Sequence, residues 1–236
     1  MNQRFSRFAG VARNAPRFAL ACAFVAAAVP APGSAETPAG GSAALPAWDA
    51  FKKTADALKN YTETLTAHEV KGGRVEDRVY HFAFAKPALA RSEIVSGPGS
   101  GGAAVWHGGD TVRGHKGGIL SAFKLTISID DPKATDLRGK RIDAAFFPTM
   151  IAGFEREGKL SEAPGTPVDG SPTDDVTLIP TDPAKVRNLT KEVLVISRTT
   201  HLPIEHLGYE GTQLVEDEHF TDQKVDVGLP PSTFDM

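Results

Sequence analysis

The chain has 236 residues, with 26 Lys and Arg against 29 Asp and Glu, 41% hydrophobic residues and a single cysteine. This slightly acidic balance argues against a nucleic-acid-binding surface, which needs clustered cations. One cysteine excludes an internal disulfide framework and a thiolate metal centre, so stability must come from a packed core.

The chain opens on Arg4, Arg7, Arg13 and Arg17, a basic start without acids. Phe18 to Val29 is then an apolar run too short to span a bilayer, and Gly33-Ser34-Ala35 offers small residues for cleavage before Glu36. Residues 1–35 therefore read as a signal peptide, and the mature chain as Glu36 to Met236. Its removal takes away Cys22 and the four arginines, leaving a more acidic, cysteine-free chain with no transmembrane anchor. Ala19-Leu20-Ala21-Cys22 is preceded by too few apolar residues for a lipoprotein signal. The Ala- and Arg-rich leader is bacterial in style, which points to the periplasm.

Residues 36–46 are small residues, Gly and Pro without periodicity, a flexible leader to a domain spanning 47–236. Trp48, Phe51, Ala55 and Leu58 recur at helical spacing, which predicts a short helix ending near Asn60. The period then changes to two. Tyr61 to Val70, a turn at Lys71-Gly72-Gly73-Arg74, and Val75 to Ala85 predict a hairpin with Tyr80, Phe82 and Phe84 on one face. Lys86-Pro87 breaks it and Ala88 to Ser96 resumes as a strand. After the glycine-dense loop Gly97 to Gly102, residues 103–107 and 111–115 read as a second hairpin, with Trp106 in its first arm.

Leu120 to Ile129 reads as a strand, because Phe123, Leu125, Ile127 and Ile129 alternate with Lys124, Thr126 and Ser128. Phe146, Phe147, Met150, Ile151 and Phe154 then share one helical face, followed by Glu155-Arg156-Glu157. Ser161 to Pro172 reads as a surface loop. Four strands follow at 175–180, 192–198, 203–209 and 213–220, with Gly211 at a turn. The order predicts an α+β, mainly β domain: an antiparallel sheet with helices on one face.

No motif for catalysis is present. There is no Gly-x-Ser-x-Gly elbow, no phosphate loop leading into a helix and no recognisable carboxylate pair. The seven histidines form no ligand motif of the kind that holds zinc. The sequence therefore predicts a non-enzymatic protein without cofactor or metal.

Phe84-Ala85-Lys86-Pro87-Ala88-Leu89-Ala90-Arg91 and Thr200-His201-Leu202-Pro203-Ile204 resemble the LolA-like superfamily of bacterial envelope proteins. So do Tyr209-Glu210-Gly211-Thr212-Gln213-Leu214-Val215-Glu216, Val227-Gly228-Leu229 and Phe234-Asp235. The likeness is to an uncharacterised secreted branch rather than to the lipoprotein carrier itself. The resemblance implies a strongly curved, incomplete antiparallel β-barrel, with short helices covering an apolar concave face. It also implies that Arg91 holds a helical lid through hydrogen bonds to backbone. On that reading Tyr80, Phe82, Phe84, Trp106, Phe146, Phe147, Met150, Ile151 and Phe154 line the cavity or its lid. The implied partner is a lipid or lipid-modified protein, with an envelope protein as the alternative. Aromatic strand faces and an apolar helix suit a lined cavity or a filled core equally well.

Overall fold

The computed structural model describes residues 44–236; the expected signal peptide and most of the leader after it lie outside them. Helix α1 (Pro46–Ala57) starts at a proline and buries Trp48, Phe51 and Ala55, the stripe seen in the sequence. Strands β1 (Asn60–Lys71) and β2 (Arg74–Ala85) pair along their full length across Gly72 and Gly73. Both glycines have positive φ, 56° and 79°, as a tight hairpin requires.

The first half continues as a meander through β3 (Leu89–Ser96), β4 (Ala103–Trp106), β5 (Thr111–His115) and β6 (Leu125–Ser128). The second half is another meander: β7 (Gly158–Pro164), β8 (Thr173–Pro180), β9 (Lys191–Ser197), β10 (Pro203–Glu210) and β11 (Gln213–Val225). β11 pairs antiparallel with β1, so the two meanders join in one 11-stranded sheet of order β6-β5-β4-β3-β2-β1-β11-β10-β9-β8-β7. The edges do not pair with each other. Trp106 and Val112 near one edge nevertheless share a hydrophobic cluster with Val176 and Leu194 near the other. The sheet therefore curls around one core, an open half-barrel of the predicted kind.

This topology places β6 and β7, which follow one another in sequence, at opposite edges. The segment between them crosses the concave face, and it carries a 3-10 turn (Ile142–Ala145) and helix α2 (Phe147–Glu157). Aromatic packing seats the crossing. The Phe147 ring stacks on Tyr61 of β1 at 4.1 Å and 8°, and meets Phe51 of α1 edge-on at 5.4 Å. The Tyr61 hydroxyl donates to the Ala145 carbonyl and accepts from the Phe147 N–H, both at 3.1 Å, which ties down the start of α2.

Two expectations change. The strand foreseen over 120–129 shrinks to β6, because Gly118–Ala122 forms a 3-10 turn. The loop foreseen over 161–172 begins as strand, since Gly158–Pro164 pairs with β8 from Gly158↔Pro180 to Pro164↔Asp174. As an edge strand with only partial burial, β7 carries little apolar alternation to announce itself. No described helix is long and apolar enough to cross a membrane.

Because the Phe147 ring is 1% exposed at the meeting point of α1, β1 and α2, Phe147→Ala should destabilise the fold by about 3–5 kcal/mol. Urea unfolding measures this, and a loss below about 1 kcal/mol would show that the crossing is not seated there.

Candidate functional site

Between the sheet and the crossing segment lies a cavity of about 660 Å³. Strand alternation decides what faces it. On the concave side, Leu65 of β1 is flanked by Tyr80 of β2 and Phe220 of β11, and Tyr80 is followed by Ile94 of β3. The neighbouring rung runs Glu63–Phe82–Ser92–Ala104. The small side chains Ala67, Ser92 and Ala104 leave the space that larger ones would fill. Ile142, Ala144, Ala145 and Met150 of the crossing segment close the opposite wall. The rim is formed by the loop at Pro98–Ser100, by Lys116, Gly117 and Leu120, and by Pro132–Thr135.

Of the residues singled out in the sequence, Tyr80, Phe82 and Met150 line this cavity. Phe84, Trp106, Phe146, Phe147 and Phe154 are buried in the core beside it, and Ile151 packs against that core half-buried. The separation follows from the next rung, Tyr61–Phe84–Ala90–Trp106, which lies under the start of α2. There Phe84 stacks on Tyr61 at 4.7 Å and on Phe146 at 6.0 Å, so bulky rings fill the space.

Arg91 lies on the other face of the sheet. It pairs with Ala83 and Val105, one step out of phase with the cavity residues Ser92 and Ala104. Its guanidinium donates to Glu93 Oε1 at 2.8 Å and to the carbonyls of Asp235 and Thr233 at 2.9 and 3.4 Å. The arginine thus holds backbone carbonyls, as the resemblance implies, but those of the C-terminal segment instead of α2.

The most charged part of the concave face went unnoticed in the sequence. One rung carries Glu76, Glu69, Glu216, Gly208 and Glu192, and the rung beside it Arg78, Ala67, Glu218, His206 and Leu194. Gly208 leaves room there: a Cβ would come within 3.0–3.1 Å of the Glu216 side chain, which would have to give by a few tenths of an ångström. Adjacent carboxylates repel, and cations from outside the sheet answer them. Arg138 of the crossing segment donates to Glu216 Oε1 at 3.0 Å and to the carbonyls of Val70 and Arg187. Lys140 holds both oxygens of Glu218 at 2.6–2.7 Å. Arg187, between β8 and β9, reaches Glu216 and Glu192, each at 3.1 Å.

His206 sits between Glu218 and Glu192, with both ring nitrogens 2.9 Å from carboxylate oxygens. Burial and the Lys140 charge press its pKa down, but the two carboxylates outweigh them and hold it above the ordinary value. Burial likewise works against ionised Glu216 and Glu218, yet Lys140, with Arg187 and His206 at Glu216 and His206 at Glu218, keeps both below the carboxylate range. Ligand atoms of Glu192, His206 and Glu216 come within 4.8 Å of one another. They are already engaged by Arg138, Arg187 and Lys140, so a metal ion there would have to displace protein cations.

Glu63 is different. It is buried, its Oε2 accepts from Gln223 at 3.1 Å and its Oε1 has no partner. Burial pushes it up to about 8. Burial also raises Glu69 and its neighbour Asp136.

No family model matches the sequence, and no curated protein does. Among solved structures, the chain is similar to an uncharacterized conserved protein from Thermus thermophilus, with TM-score 0.52 and 8% identity over 81% of this chain and 91% of that one. A putative outer membrane lipoprotein-sorting protein domain from Vibrio parahaemolyticus matches at TM-score 0.46 and 13% identity, covering 80% and 95%. A LolA superfamily protein from Nitrosomonas europaea matches at 0.40 and 12%, covering 82% and 99%. At these identities the likeness is one of fold and extends to no activity. An open antiparallel sheet with helices on its concave face is the architecture that the LolA-like resemblance implies.

The buried acids generate a pH dependence. Folded Glu63 keeps a proton up to about pH 8 that the unfolded chain releases near 4.5, so folded stability falls as pH rises between those values. The raised His206, Glu69 and Asp136 act in the same sense. Urea midpoints should therefore decline from about pH 5 to about pH 8, at up to about 1.4 kcal/mol per pH unit for each such group. Glu63→Gln should reduce that slope, and an unchanged slope in the variant would refute a protonated Glu63.

Proposed function

We propose that the chain is a non-enzymatic carrier or binding protein of the bacterial periplasm, holding the acyl chain of a lipid or lipid-modified protein in the concave cavity. The observation that carries this reading is the apolar wall of Leu65, Tyr80, Phe82, Ile94, Ile142, Met150 and Phe220 around about 660 Å³ of space. That volume falls in the range of small-molecule sites, and the lining is mostly apolar as such sites are. Each buried methylene contributes about 0.8 kcal/mol, so part of an acyl chain suffices for useful affinity without directed polar contacts. Phe84, Phe146, Phe147 and Phe154 support the wall from behind, and α2 with the turn before it acts as the cover.

A second reading, an envelope interaction protein that binds a protein partner, draws on a different surface. Ile119 is 93% exposed, Phe123 68% and Leu125 59%, in the segment leading into edge strand β6. An exposed apolar run beside a free sheet edge suits strand addition by a peptide.

Met150→Glu separates the two. Met150 is half-buried at the cavity wall, where a carboxylate must be desolvated or neutralised when an acyl chain enters. A fluorescent fatty acid should bind the wild type saturably and the variant at least about tenfold more weakly. Stability should change by no more than about 1 kcal/mol. A stable wild type that binds no acyl probe would overturn the carrier reading in favour of the second.

A further inference from the structure

The charged groups of the cavity are not evenly matched. Its lining includes Arg78, Lys116, Lys133, Lys140 and Arg141, against the carboxylates Asp136 and Glu218. Both acids are already occupied. Glu218 is chelated by Lys140 at 2.6–2.7 Å. Asp136 Oδ1 accepts from the N–H groups of Arg138 and Lys140 at 3.0 and 2.7 Å, and burial favours its protonated form. Arg141 spends its charge on Asp143 and Asp130.

Two lysines remain unpaired, and one paired arginine keeps a donor free. Among the described residues, Lys116 and Lys133 at the rim form no ion pair with a carboxylate. Arg78, on the sheet wall beside Tyr80, gives Nη2 to Glu76 and Nη1 to the Tyr80 hydroxyl at 3.2 Å, while its buried Nε–H has no acceptor. A buried donor without a partner costs free energy unless a ligand satisfies it. The sequence at the mouth has the same bias. From Thr111 to Ile129 there is no Asp or Glu, in a protein with 29 of them, so no carboxylate of that stretch answers Lys116.

We propose that the cavity selects an anionic amphiphile, with a carboxylate or phosphate head group at the basic end formed by Lys116, Lys133 and Arg78 and the acyl chain along Tyr80, Phe82 and Met150. This rests on the reading of the cavity as an acyl-chain site and adds the sign of the ligand's charge. The desolvated Arg78 Nε–H supplies a directed hydrogen bond to an anionic oxygen, and the two exposed lysines supply attraction that salt weakens.

The test is competition for the fluorescent probe by a long-chain fatty acid, its methyl ester and the alkyl phosphate of the same chain, on the full protein at low and high salt. The acid, the phosphate or both should bind about tenfold more tightly than the ester, with the advantage shrinking in high salt. Which anion wins identifies the head group. Lys116→Gln with Lys133→Gln should reduce the advantage, and Arg78→Gln should reduce it further. Because both lysines are exposed, the double variant should fold as the wild type does. Equal affinity for ester and acid would overturn the inference while leaving the acyl-chain reading in place. Failure of all three compounds to compete in a wild type that binds the probe would overturn it too, and a wild type that binds no probe would overturn both.

Discussion

Residues 129–157 link the two edges of the sheet across its concave face. The strands on either side of that segment stand at opposite edges of the open sheet, and the chain joins them over the inner surface. What it lays there decides what the protein is. Its aromatic end docks on Tyr61 and Phe51, and its basic stretch docks on the acidic rungs of β1, β10 and β11. Between the two anchors, the small side chains Ala144 and Ala145 cover a floor that itself carries Ala67, Ser92 and Ala104. The cavity is the space left between two fixed points.

The ionic anchor is unusual in being deeply buried. Arg138 and Glu216 have side chains 1% and 0% exposed, and such a pair seldom stabilises a fold more than apolar packing would. Removing one side of it would leave buried charges unanswered, and Arg138 and Lys140 of the crossing segment supply the partners of Glu216 and Glu218. The same arrangement withdraws Lys140 from any ligand and leaves Lys116, Lys133 and the Arg78 Nε–H free for one.

Much of the fold was legible, because burial on one face prints a period on the sequence. Trp48, Phe51 and Ala55 gave α1, and the Tyr80–Phe82–Phe84 alternation gave a strand with one inward aromatic face. The same alternation could not say which of those rings would meet open space. That depends on Ala90 and Trp106 lying beside Phe84 while Ser92 and Ala104 lie beside Phe82, a matter of cross-strand register. The outward placement of Arg91 was readable in principle, since it alternates with Ala90 and Ser92. The ionic layer was half readable: Glu216 and Glu218 share the parity of buried Phe220, but their partners Arg138 and Lys140 stand 78 residues away. No local pattern ties such positions together.

If the space under the crossing segment belongs to a ligand, that ligand should travel with the purified protein. Native mass spectrometry of the protein purified from a bacterial host without delipidation addresses it most directly. The expected result is a population heavier than the bare chain by the mass of one acyl-bearing molecule, released on activation in the gas phase and ionising as an anion. A single species at the mass of the bare chain, under conditions that preserve the complex of a fatty acid added afterwards, would contradict it.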